Sequence, residues 1–222
     1  MEIPYIEVFG VIITEPLTLI TDFLLAGFGF LFGHILFRSQ TSDTHAKLWS
    51  LFFLFMGIAA TLGGIAHGLS NYVGINMHYA SRIAAGLAIF SAQIASLELI
   101  KEKRIYSFLR WFAIIELIVL IACVLYFQTF APVIITTVVG LIGMVTPVQL
   151  YVYWNKTHTP HLIIVIGIVC NIIPGMIHAL HLSYNKWFNS NDISHIIMIF
   201  FFYIIYSGVR KASSSTSSEV SN

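Results

Sequence analysis

The chain has 222 residues and a formal net charge of +1, and it is 58% hydrophobic but only 9% charged; its mean hydropathy is +0.86. That composition argues against a soluble domain and places the chain in the membrane class. Net charge near zero, with no basic cluster interleaved with aromatics, argues against nucleic acid as a partner.

In chain order, the N-terminus MEIPYIEVFG lacks the basic region and cleavage site of a signal peptide, so the first apolar segment is expected to be retained. Roughly 20 mostly apolar residues cross about 30 Å of hydrocarbon. That yardstick predicts spans at about 16–37, 47–69, 78–99, 107–127, 130–153, 160–182 and 192–209. The expected fold is therefore all-α: a polytopic bundle of seven transmembrane helices over residues 1–211, embedded in the lipid bilayer as a multi-pass protein. The serine-rich stretch ASSSTSSEVSN, residues 212–222, has nothing to bury and is expected to be a disordered cytoplasmic tail. Cys123 and Cys170 lie within apolar runs and read as packing residues rather than a disulfide or a metal pair.

Orientation follows from the basic residues, because cytoplasmic loops near spans carry the excess. Arg38, Lys47, Lys101, Lys103, Arg104, Arg110, Lys156, Arg210 and Lys211 mark one side, and only Arg82 and Lys186 fall on the other, with Glu2, Glu7 and Glu15. The N-terminus is expected outside and the C-terminus in the cytoplasm. Gly57, Gly63, Gly64, Gly140, Gly143 and Gly167 are small residues that let helices approach closely. Pro147 and Pro174 should kink their spans and free backbone carbonyls. No convincing repeat relates the first three spans to the last three, which argues against an inverted-repeat transporter.

With this orientation the ionisable groups crowd the outer ends of the spans. Glu15 and Asp22 lie in span one, His67 in span two, His78 and Arg82 in span three, His178 and His181 in span six, and Asp192 and His195 in span seven. Glu15 and Asp22 are seven residues apart, His178 and His181 three, and Asp192 and His195 three, so each pair shares a helical face. Imidazoles and carboxylates are zinc ligands, and a catalytic zinc uses three protein ligands and a water. His67, His195 and either His178 or His181 would form a three-histidine site, with Asp22, Asp192 or Glu15 orienting a ring or acting as general base.

Plainer roles exist for each. Glu15 precedes Pro16 at a helix start, Asp192 suits a helix N-terminus, and Ser190 or Asn191 suits a cap. Arg82 can pair with Asp22 or Asp192. His45, His158 and His161 belong to short polar loops on the cytoplasmic side, where solvation is expected. Glu116, deep in span four, is either a protonated, hydrogen-bonded packing group or a proton relay.

The segment TEPLTLITDFLLAGFGFLF, Thr14 to Phe32, resembles the first span of alkaline-ceramidase-like membrane proteins, with Glu15, Pro16, Thr21 and Asp22 carrying the match. In the wider superfamily of alkaline ceramidases, progestin and adipoQ receptors, Per1-like proteins and hemolysin III, seven spans hold a zinc. Its ligands there are one histidine four residues after a serine in span two and an H-x-x-x-H pair in span seven. In GGIAH, His67 takes the span-two place with Gly63 where the serine would stand; in NDISH, His195 takes the second span-seven place and Asn191 the first. The span-three aspartate of the pattern has no counterpart near HYASR. The resemblance implies a zinc-dependent hydrolase of a lipid amide or related bond. Proximity of helix ends, not the family pattern, offers His178 or His181 as the replacement ligand. The rival expectations are a non-enzymatic receptor or transport protein that uses the same pocket for a ligand or protons, and a structural membrane protein.

Overall fold

The structure is a computed structural model that describes residues 3–39, 43–156 and 159–220. The chain opens on a hairpin, β1 (Tyr5–Val8) and β2 (Val11–Thr14), paired antiparallel with Tyr5 opposite Thr14 and Val8 opposite Val11. Its two-residue turn, Phe9-Gly10, has positive φ at both positions, the backbone that matches strand twist. Helices follow: α1 (Pro16–Ser39), α2 (Thr44–Gly68), the short α3 (Ser70–Val73), α4 (Asn76–Leu97) and α5 (Lys103–Phe127). Then come α6 (Ala131–Thr136), a π-helical segment (Thr137–Val145), α7 (Thr146–Lys156), α8 (Thr159–Cys170), α9 (Ile172–Ala179) and α10 (Ser190–Val220).

Among the described residues, seven helical segments are long and apolar enough to cross a membrane. They are Pro16–Arg38, Thr44–Gly68, Asn76–Leu97, Lys103–Phe127, Ala131–Asn155, Thr159–Ala179 and Ser190–Ser214, matching the seven expected spans to within a few residues at most ends. Local chemistry sets the ends. Asp43 caps α2 by accepting from His45 N and Ala46 N, which starts that helix ahead of the hydrophobic run; Glu102 caps α5 through Arg104 N. The prolines act as their backbone chemistry requires. The fifth span is interrupted by the π segment that ends two residues before Pro147, and the sixth breaks at Asn171, three residues before Pro174. The carbonyl of Pro174 accepts a hydrogen bond from Ser194 Oγ at 2.9 Å.

The tail departs from expectation: α10 stays helical to Val220, through the serine-rich stretch taken from composition as disordered. The end of the last span is anchored, since Ala212 and Ser213 are buried and Ser213 donates to the Asp43 carboxylate.

The bundle has two unlike ends. At the end opposite the hairpin, α1, α2 and α10 enclose an aromatic core in which Phe32 stacks on Tyr206 with centroids 4.6 Å apart, and Phe53 meets Phe32 and Phe202 edge-on. Glycine allows the close approach there: a Cβ on Gly57 would lie 2.8 Å from the Phe30 ring, and one on Gly29 only 2.9 Å from Gly57 N. At the other end the hairpin is latched across α2 and α3. Thr14 Oγ1 bonds to the His67 carbonyl and lies 2.8 Å from Ser70 Oγ, while Ile12 N donates to the Tyr72 hydroxyl at 3.0 Å.

Candidate functional site

Where β2 meets α1, Glu15 takes a left-handed backbone conformation, φ +44°, which a non-glycine residue rarely adopts. That geometry closes the hairpin, since Glu15 N donates to the Pro4 carbonyl at 2.9 Å, and it accompanies a carboxylate contact with α2: Oε2 lies 2.7 Å from His67 Nδ1. The hydrogen bond from His67 holds the Glu15 carboxyl below the usual carboxylate range. Asn189, just ahead of α10, donates its side-chain amide to Glu15 Oε1 at 3.3 Å and Thr18 Oγ1 at 3.2 Å.

Asn189 is also the true cap of α10, where Ser190 or Asn191 was expected. Its Oδ1 accepts from Asn191 N at 2.8 Å, and Asp192 Oδ2 reaches back to Asn189 N at 2.7 Å, a reciprocal capping box. Thr21 Oγ1 stands 3.4 Å from Asp192 Oδ1, so both oxygens of this fully buried carboxylate have neighbours. Asp192 does not line the cavity described next.

That cavity, of about 290 Å³, lies between α1, α2, α4, α9 and α10 at the hairpin end. Its polar lining includes Asp22, His67, His78, Arg82, His178 and His195; Leu25, Met56, Phe130 and Met198 are among its apolar residues. Helices from five parts of the chain thus bring together most of the ionisable groups that orientation and spacing single out. Glu15 and Asp192 stand beside the cavity without lining it, and His181 is apart from it, exposed and with φ +52°.

Three histidines share one arrangement. His67 Nδ1 faces Glu15 Oε2, His178 Nδ1 lies 2.7 Å from Asn191 Oδ1, and His195 Nδ1 lies 3.1 Å from Thr21 Oγ1. Each partner orients its ring through Nδ1, as outer partners of metal-bound histidines do. Among the described residues, Nε2 of His67 and of His178 has no hydrogen-bond partner, while Nε2 of His195 is 3.4 Å from Asp22 Oδ1. The other oxygen of Asp22 is buried without a partner. Asp22 reaches α2 because that helix has no side chain there: a Cβ on Gly64 would stand 2.9 Å from Asp22 Cβ, and one on Gly63 3.5 Å from Oδ2.

Set against zinc, the donor types fit, and so do the oriented rings and the orphaned carboxylate oxygen. The spacing does not yet: among the described residues, no three His, Cys, Asp or Glu side chains converge closely enough to hold a metal ion as they stand.

Other expectations resolve differently. Arg82 pairs with neither Asp22 nor Asp192; among the described residues it has no ion pair. His45 and His161, expected to be solvated, are buried at 7% and 4% exposure. Each has a partner: Trp49, one turn on in the same helix α2, donates its Nε1 to His45 Nε2 at 3.1 Å, and His161 Nδ1 on α8 lies 2.6 Å from Gln149 Oε1 on α7. His158 lies outside the described residues. Glu116 belongs to a separate place, an apolar cavity beside α5 and α6, where Oε2 accepts from Gln93 Nε2 at 2.6 Å and Oε1 is buried without a partner.

The fold and site define a mostly helical protein with seven segments of membrane-spanning length and a polar cavity at one end. Residues 17–214 match a family of unknown function, DUF6962, and the chain belongs to that family. Neither a curated protein nor a solved structure matches the chain.

Proposed function

We propose that this is a multi-pass integral membrane protein, N-terminus outside and C-terminus cytoplasmic, whose hairpin-end cavity binds zinc and hydrolyses a lipid amide or ester bond. Insertion is supported by the outward faces of the helices, where Phe108 is 70% exposed, Ile118 61% and Phe200 61%, a surface suited to hydrocarbon rather than water. Orientation is supported by the basic residues, nine of which cluster toward the end away from the hairpin.

One observation carries the site reading: His67, His178 and His195, from α2, α9 and α10, line a single cavity with every Nδ1 held by a different partner. Zinc, held by His67, His178 and His195, would supply Lewis-acid activation of water there. The chain's own groups do the rest. Glu15, Asn191 and Thr21 hold the rings, and the unpartnered oxygen of Asp22 is placed to accept a proton in the same cavity. Asp192 positions the start of α10 and, through Thr21, the His195 ring. The resemblance to the alkaline ceramidase superfamily supports the reaction class.

A second reading, ligand binding without catalysis, draws on Asn191, which stands where the superfamily pattern has its first span-seven histidine. Metal analysis of the purified protein separates the two. The hydrolase reading expects about one zinc per chain, lost in His67→Ala and His195→Ala, and cleavage within a panel of ceramides and glycerolipids. Absence of stoichiometric zinc from the unmutated protein would overturn the metal reading; zinc with no cleavage would favour the ligand-binding one.

A further inference from the structure

Arg82 stands in the second turn of α4 and lines the cavity, yet among the described residues it makes no hydrogen bond and no ion pair, and its Nη1 is buried without a partner. A guanidinium stays charged and offers five N–H donors in a fixed fork. Burying part of it without an acceptor is costly, and in an apolar bundle more so. None of the nearby acids pairs with it, although Asp22 Oδ2 is itself unpartnered in the same cavity. Glu15 faces His67 and Asn189; Asp192 faces Asn189 N and Thr21; Asp22 turns Oδ1 toward His195 and lies beyond ion-pair distance of Arg82. His78, one turn earlier on the same face of α4, lines the same cavity and adds an N–H donor.

We infer that Arg82 is the anion-recognition group of this cavity and that its ligand is an acidic amphiphile. Phosphate or carboxylate oxygens of the head group take the guanidinium fork, and hydrocarbon lies against Leu25, Met56 and Phe130. Size limits what enters: about 290 Å³ is at the small end of ligand sites, so the cavity admits a head group and the first methylenes while the rest of a chain stays outside. This deepens the hydrolase reading by naming its substrate class and rests on that reading for the ligand's fate, whereas binding itself needs no metal.

The test is binding to protein stripped with EDTA and held in uncharged dodecyl maltoside micelles, read as a shift in thermal unfolding midpoint. The probes are dodecyl phosphate, laurate, dodecyltrimethylammonium and inorganic phosphate. Dodecyl phosphate and laurate should raise the midpoint, and the cationic amphiphile and inorganic phosphate should not. Arg82→Gln should weaken dodecyl phosphate binding by about tenfold to a hundredfold, the range of hydrogen bonds to charged groups, and Arg82→Lys should restore part of it. Helicity by circular dichroism confirms that both variants fold. The inference is overturned if Arg82→Gln binds dodecyl phosphate as tightly as the unmutated protein. Equal stabilisation by dodecyltrimethylammonium, or by inorganic phosphate, would overturn it as well. Because no metal is present, a failure here is distinct from a failure to find zinc.

Discussion

Glu15→Gln removes the charge at the junction of hairpin, α1, α2 and α10 while keeping an oxygen that can accept from His67 Nδ1, now 2.7 Å away. A hydrogen bond to a charged group contributes about 1.5–3 kcal/mol. The two side chains are 23% and 29% exposed, so screening brings the loss from Glu15→Gln below that range, to about 1 kcal/mol. Glu15→Gln keeps only one of the two acceptor oxygens, and Glu15→Ala removes those for both His67 Nδ1 and Asn189 Nδ2 and should cost about 2 kcal/mol. In a chain of this size each kcal/mol moves the midpoint by about 2–4 °C. The pH dependence has a definite sign. The folded carboxyl titrates below its unfolded value, so the stabilisation is complete above the ordinary carboxylate range and is lost as pH falls through the depressed folded value. Thermal unfolding in detergent from about pH 7 to about pH 3 should show that loss in the unmutated protein and a flatter profile in Glu15→Gln. Equal midpoints and equal acid slopes for all three proteins would refute the claim that this pair fastens the hairpin to the bundle.

Three further predictions follow from geometry. Gly64→Val places a Cβ 2.9 Å from Asp22 Cβ and should lower stability by about 1–3 kcal/mol, measured as a midpoint shift; an unchanged midpoint would mean that α1 and α2 do not approach as described. Gln93→Leu leaves Glu116 Oε2 without its donor and should destabilise by about 1–3 kcal/mol, whereas Glu116→Gln retains an acceptor and should cost less. Lys186→Cys should react with an impermeant maleimide added to intact cells from outside, and labelling only from the cytoplasmic side would reverse the assigned orientation.

Much of this architecture is legible in hydropathy because a span announces itself by about 20 apolar residues. The hairpin is shorter and was missed, although YIEVFGVIIT carries a signal in its β-branched run on either side of Phe9-Gly10. For the cavity, orientation and helical spacing found Asp22, His67, His178 and His195, since groups costly to bury gather where they can satisfy one another. Asn189 was not found: it precedes its helix, and its importance arises from reaching Glu15 and Thr18 across 174 and 171 residues of sequence. His161 reads as solvated because its polar neighbours in sequence say nothing of Gln149 meeting it from α7, whereas His45 is already inside α2, one turn before its partner Trp49. Ser213, in the serine-rich stretch, meets Asp43 across 170 residues of sequence, a contact composition does not announce.

Zinc K-edge X-ray absorption on the purified protein addresses the central claim most directly. The account predicts a bound zinc with a shell of imidazole nitrogens at about 2.0–2.1 Å, lost in His67→Ala. No zinc edge above background, or a sulfur shell at about 2.3 Å, would contradict it.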